Sequence, residues 1–453
     1  MTCFLSLILN NVSLRVMHAV SQRLPDCRSQ GDCAGTLYGT IGRVSAMTCI
    51  HLYLFTTLAA YLNSLGRTIM NELYEQRVCL PVATACALCV LMPFAQLRSY
   101  GDITTISLLS FAAVIVLVLL IMSASSHVEP DAAATTSFWP PSSLSDSLTS
   151  AGGFFFASGG GQCAFFEYLS EMENPGDYTK TLWLTTPVLF VLYYGVAAVM
   201  YNRFGDRVPG FLLDILPFDL TRLLGNTLFF FHIVVSFTIL NTALLRSYAT
   251  YSVTDDSWAA KREWAMMSVV VLAGAYVVTN IFSLFEDMTA AVGALLVTST
   301  VLLIPPVYLL AAGKRNKNIK GKEGEEGDAG VGGGRGGGGE GMTGNGDGNS
   351  GGGGGGLSTA TSFGLHAMIL FGLIVVPLMS WGAIVRLIHD TNNVAPPFSC
   401  GPCVTRECIE GAKNASYGHM ISRKISSSAA AAAAAESVAS SVTALPRRRE
   451  LIF

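Results

Sequence analysis

Phe154-Phe155-Phe156-Ala157-Ser158-Gly159-Gly160-Gly161-Gln162 sits inside an apolar run, 147–166, flanked by Asp146 and Glu167 and free of charge between them. Three consecutive glycines weaken a helix by about 1 kcal/mol each relative to alanine. Within hydrocarbon, unwound backbone is tolerated only where it is buried in protein or lines a cavity. The stretch therefore predicts a helix broken at membrane depth, with backbone N–H and C=O groups released around Ser158, Gly159, Gly160 and Gly161. Such groups suit a zwitterion, because amide donors can face its carboxylate and carbonyl oxygens its ammonium; many secondary transporters build sites this way. The competing reading is close helix packing through small residues. The glycines alone do not choose between the two.

The membrane assignment comes from the rest of the chain. Charged residues make up 13% of it, about half the ~25% of soluble domains, and the mean hydropathy is +0.47. No Asp, Glu, Lys or Arg occurs over 103–126, 181–202, 223–245, 264–285 or 288–313. Each run reaches the roughly 20 apolar residues that cross a ~30 Å hydrocarbon core. A soluble protein of this length could bury one such helix, but not five. Further runs at 44–66, 78–97, 147–166 and 363–385 extend the series. Residues 1–20 are apolar but interrupted by Asn10, Asn11 and Arg15. Without a basic n-region they read better as a short transmembrane helix than as a signal peptide. That makes ten candidate spans in an all-α polytopic membrane protein, since barrels need alternating strands.

Basic residues orient the bundle. With the segment before Arg43 placed inside, inward connections collect Arg43, Arg98, Lys180, Arg246, Lys261, Arg262 and the cluster from Lys314 to Lys322. Outward connections hold only Arg67, Arg77, Arg203, Arg207 and Arg222. This follows the positive-inside rule and places the tail after 386 outside. A formal net charge of −3 argues against general nucleic-acid binding. Cys79, Cys86 and Cys89 fall in an apolar run and read as small packing residues.

Four parts follow: a helix bundle over 1–313, a basic then glycine-rich linker over 314–362, a last span over 363–386, and a low-complexity tail over 387–453. The GxGxxG-like strings near Gly332 arise from composition, with no strand before them, so no phosphate loop is expected. In the tail, Cys400-Gly401-Pro402-Cys403 has redox-motif spelling without a βαβ context, and a local disulfide is the simpler reading. Asn414-Ala415-Ser416 is a glycosylation sequon, usable only if the tail is outside.

Phe165-Phe166-Glu167 and Glu171-Met172-Glu173-Asn174-Pro175 follow the glycines, and the next span ends Tyr201-Asn202-Arg203-Phe204-Gly205-Asp206. This order resembles the amino acid/auxin permease family of the amino acid–polyamine–cation superfamily. Phe166 stands where proline is usual there, and Met200 where glycine is. Pro93 to Ser110, Ala60-Tyr61, Val292-Gly293-Ala294 and Pro305 are weaker echoes. The resemblance implies a LeuT-like fold of two inverted five-helix repeats with eleven helices, binding substrate and ion between unwound parts of helices one and six. Laid on that pattern, residues 1–20 correspond to helix two, so the counterpart of helix one is expected upstream of this sequence or lost from it.

The resemblance implies a secondary active transporter of amino acids or related small solutes, coupled to H⁺ or Na⁺. A non-transporting membrane sensor or interaction protein on the same scaffold, or an inactive truncated gene model, is the alternative that a lost first helix would favour. Candidate substrate-binding residues are Ser158, Gly159, Gly160 and Gly161. Candidate ion-coupling residues are His232, an ionisable group within a span, together with Ser236 and Thr238, which lie near the family's eighth-helix ion position. Glu167 is expected to cap or pair at the inner mouth, and His51 to be a satisfied packing residue. No metal-ligand spacing, cofactor motif or nucleophile–base pair stands out, so no enzyme is expected. The membrane is the plasma membrane or a vacuolar or lysosomal one.

Overall fold

The computed structural model describes residues 2–315, 357–391 and 398, apart from 77, 129–133, 138–142, 210, 218, 253 and 283–284. The glycine-rich stretch, the Cys400–Cys403 pair and Asn414 lie outside the described residues.

The described chain is helical. Its elements are α1 (Thr2–Arg23), α2 (Gln30–Glu72), α3 (Leu80–Phe94), α4 (Tyr100–His127), α5 (Leu144–Ser158), α6 (Phe165–Glu171) and α7 (Tyr178–Phe204). They continue with α8 (Leu220–Arg246), α9 (Trp258–Ile281), α10 (Phe285–Val292), a π turn (Gly293–Val297) and α11 (Thr298–Leu302). α12 covers 304–315 and α13 is Thr359–Thr391. Helix starts are written locally. Ser29, Ser99, Ser143, Asp219 and Ser257 each accept a backbone N–H of the first turn they precede, which satisfies donors a helix end leaves open.

Eight helical segments among the described residues are long and apolar enough to cross a membrane. They coincide with eight of the ten expected spans, and the other two are shorter. The 78–97 run forms α3, a helix of 15 residues, and 147–166 is divided between α5 and α6. α2 is longer than its apolar run because it starts as a short arm, 30–38, which kinks at Gly39 (φ 70°) into the long helix.

Burial separates the centre of the bundle from its rim. α8 and the span Met288–Arg315 each bury 61% of their most apolar stretch, whereas the α7 span buries 6%. Leu108 on α4, Trp183 and Leu184 on α7, Val270 on α9 and Phe363 on α13 are all more than two-thirds exposed. Apolar surface on that scale is not left in water by a soluble monomer, and lipid is its natural solvent.

Two departures from the family pattern are absorbed by packing. Phe166 is buried edge-on against Phe165, whose ring meets Tyr178 at 4.9 Å. Met200 fills the outer core around Phe204 and Leu213. Thr279 donates to the Ala59 carbonyl at 2.7 Å, and Asn280 donates to Tyr276 O and Thr84 Oγ1. Cysteine is where the reading needs correction. Cys79 is disulfide-bonded and not a packing residue, while Cys86 and Cys89 are free and exposed on α3. The spacing of apolar residues carries no information about a covalent partner, which is why the run misled.

Candidate functional site

α5 ends where glycine begins. Ser158 turns its hydroxyl back to the Phe154 carbonyl at 2.8 Å. Gly159 is extended, and its N–H closes the last helical bond to Phe155 O at 2.8 Å. Gly160 has φ +108°, a conformation that glycine reaches without a Cβ clash. Cys163 N–H then bonds Gly160 O at 3.1 Å and Phe165 N–H bonds Gln162 O at 3.3 Å before α6 resumes. None of the hydrogen bonds among the described residues uses the N–H of Gly160 or Gly161, so the break presents backbone donors inside the bundle.

Three elements surround the break. A Cβ at Gly160 would run into the hydroxyl of Tyr53, a buried residue of α2. One at Gly159 would run into Val297 of the π turn, and one at Gly161 would touch Leu14 of α1. Gln162, fully buried, donates to Asn10 Oδ1 at 2.6 Å and Ser13 Oγ at 3.1 Å. Its backbone carbonyl accepts from Gln30 Nε2 on the α2 arm. The unwound segment is therefore fixed from α1 and α2 by a buried polar cluster. Removing one member strands the others at a cost of about 1–3 kcal/mol. Gln162→Leu is expected to lower the melting temperature of the detergent-purified protein by several degrees. An unchanged melting curve would remove Gln162 as the anchor.

α5 meets the α10–α12 span backbone to backbone. A Cβ at Gly152 would lie 2.5 Å from Ala290 O, and one at Gly293 would collide with Gly152 O. Directly after Gly293 the helix widens into the π turn, and the Thr298 hydroxyl takes the Gly293 carbonyl at 2.7 Å. π turns inside α-helices mark functional sites often enough to be informative, and this one faces the break. Both readings of the glycines therefore apply, at different positions: Gly152 packs, while Gly159 to Gly161 unwind.

The expected ion-coupling residues lie elsewhere. α8 packs chiefly on α4 and α2. His232 Nδ1 is 2.9 Å from Ser110 Oγ of α4, Thr238 donates to Val234 O at 2.8 Å, and Ser236 is half-buried. None is brought to Ser158–Gly161. His51 pairs with the Tyr248 hydroxyl at 2.6 Å. Glu167 opens the first turn of α6 and lines a cavity of about 660 Å³ with Arg28, Asp32, Arg43, Ser170 and Arg246. Arg43 meets Asp32 at 3.0 Å across it.

The site is thus a broken helix clasped by α1, α2 and the π turn, with a charged cavity beside α6. Residues 2–323 match the family model described as transmembrane amino acid transporter protein. The chain belongs to that family. No curated protein matches it. Membership makes it an amino acid transmembrane transporter by family and an integral, multi-pass membrane protein; the family is one of transporters and not of enzymes. In this transporter, Tyr53 is the neighbour that sequence reading did not find. An aromatic residue on a long apolar helix carries no local mark of facing a break more than a hundred residues away. Gln162 was in plain view, but its partners Asn10, Ser13 and Gln30 come from distant positions.

Proposed function

We propose that the protein is a secondary active transporter of amino acids or related small solutes, driven by an H⁺ or Na⁺ gradient through alternating access. The observation that carries this reading is the unwound backbone at Ser158–Gly161, half-buried in the bundle beside Tyr53. Backbone donors there match a carboxylate, and the low dielectric makes each such bond stronger than in water. The helical order and the broken α5–α6 pair support a LeuT-like inverted repeat. His232, Ser236 and Thr238 are the candidates for ion coupling, acting from α8 at a distance from the break. No cofactor or enzymatic step is part of this reading. The membrane is the plasma membrane or a vacuolar or lysosomal one, with the tail and Asn414 on the outer side.

Reconstitution into liposomes tests the proposal. Labelled amino acids are expected to accumulate above equilibrium under an imposed pH or Na⁺ gradient, and to leak back when the gradient is collapsed. Uptake indifferent to both gradients would reduce the protein to a facilitator, and no uptake of any amino acid would overturn the reading.

The glycine-rich insertion is proposed to be a hydrated linker between the α10–α12 span and α13. Loop length costs free energy only logarithmically, so deleting 325–355 is expected to leave expression and uptake within about twofold of the parent. Loss of folded protein on deletion would give this segment a structural role.

A further inference from the structure

Cys79 is disulfide-bonded, whereas Cys27, Cys33, Cys49, Cys86, Cys89 and Cys163 are free thiols. Of the eleven cysteines in the sequence, that leaves Cys3, Cys400, Cys403 and Cys408 as partners. Cys3 opens α1, whose main neighbours are α5 and α7. Cys79 immediately precedes α3, whose main neighbours are α2, α9 and α8. A disulfide needs Cα atoms within about 7 Å, and no extensive packing joins α1 to α3. That disfavours Cys3 as the partner.

Phe398 lies beside the elements that flank Cys79. Phe398 donates its backbone N–H to the Asn280 carbonyl at 3.4 Å, and its ring lies 6.1 Å from that of Tyr276. The Tyr276 hydroxyl in turn donates to the Pro81 carbonyl at 3.3 Å. Pro81 is two residues from Cys79, and Cys400 is two residues from Phe398. Two residues of chain span at most about 7 Å, so Cys79 and Cys400 are both tethered within that span of residues that meet at Tyr276.

We propose that Cys79 is bonded to Cys400, fastening the chain that leaves α13 to the start of α3 across the end of α9. The assignment is independent of the transport reading. It replaces the local Cys400–Cys403 pairing that the tail sequence suggests. It also bears on orientation, because disulfides persist on the oxidising side of a membrane. The start of α3, the end of α9 and the tail would then share the extracellular or lumenal face, which is the orientation the basic residues favour.

The test uses the full chain with a site-specific protease sequence inserted in the glycine-rich stretch, so that cleavage separates α1–α12 from α13 and the tail. After cleavage, alkylation of free thiols and denaturation, the two fragments are expected to run as one species without reductant and as two with it. Cys79→Ser and Cys400→Ser should each abolish the link, and Cys403→Ser should keep it. Fragments that part without reductant, or that stay linked in either Cys79→Ser or Cys400→Ser, would overturn the proposal. Loss of the link in Cys403→Ser would overturn it too, by moving the partner. Because the readout follows denaturation, a variant that folds poorly still reports its disulfide.

Discussion

Gly160→Val is expected to abolish amino acid uptake while leaving the protein in the membrane at near-normal abundance. At φ +108° the backbone of Gly160 is where L side chains rarely sit, and a Cβ there meets the Tyr53 hydroxyl. A left-handed conformation costs an L residue roughly 1–2 kcal/mol, and a branched side chain, stiff at χ1, adds to it. The flanking helices have their own packing, so the strain falls on the break and not on the bundle. Gly160→Ala should be intermediate, with uptake reduced at least about tenfold for a distortion of ~1.4 kcal/mol. Tyr53→Phe placed in the Gly160→Ala background removes the oxygen that the new Cβ meets, and should restore part of the loss. That coupling is the signature of two residues sharing one space. Wild-type uptake by Gly160→Val at equal surface abundance would exclude the break from the substrate site.

Stability, and not transport, is the target of the second large effect. At Gly293 an added Cβ would strike the Gly152 carbonyl and lie 2.9 Å from Phe156 Cβ. Neither is the free end of a flexible side chain, so two helices must separate for Gly293→Ala to fit. Overpacking of this kind costs about 1–3 kcal/mol and sometimes more. The variant is expected to melt several degrees lower and to lose monodisperse protein on size-exclusion chromatography. Gly153→Ala is the control. Nothing lies within 4 Å of its Cβ, so replacing a helical glycine should be neutral or stabilising by up to about 1 kcal/mol. Equal behaviour of the two variants would show that α5 and the α10–α12 span do not touch through their backbones.

What could be read from the sequence follows from how each feature is encoded. Span positions were legible because a charge in hydrocarbon is costly, and its absence over twenty residues is visible without any partner. The break was legible because glycine triplets act locally on the helix that holds them. The α2 arm was not: it precedes the 44–66 apolar run, and helix from Gln30 depends on the Ser29 cap and on Cys33 and Ala34 packing with α1 and α12. Polar residues inside spans were the least legible. The partner of His232 is Ser110 of α4, a residue more than a hundred positions away that nothing in the α8 sequence announces. Tyr53 shows the reverse: it carries no polar signal beyond its hydroxyl and still stands against Gly160.

The short reach of α5 has a consequence for how the protein is made. Fifteen residues rise about 22 Å, less than the ~30 Å of the hydrocarbon core, and three glycines follow. Its most extensive packing is with the α10–α12 span, and its next with α13, all of which leave the ribosome later. When α5 and α6 first meet the insertion machinery, Asn10 and Ser13 of α1 and Gln30 of the α2 arm have already been made and can hold Gln162. The broken helix is thus held early by α1 and the α2 arm and completed late by the α10–α12 span and α13. A nascent chain arrested in the glycine-rich stretch should hold α5 in contact with α1 but leave it open to protease or thiol labelling until α13 arrives.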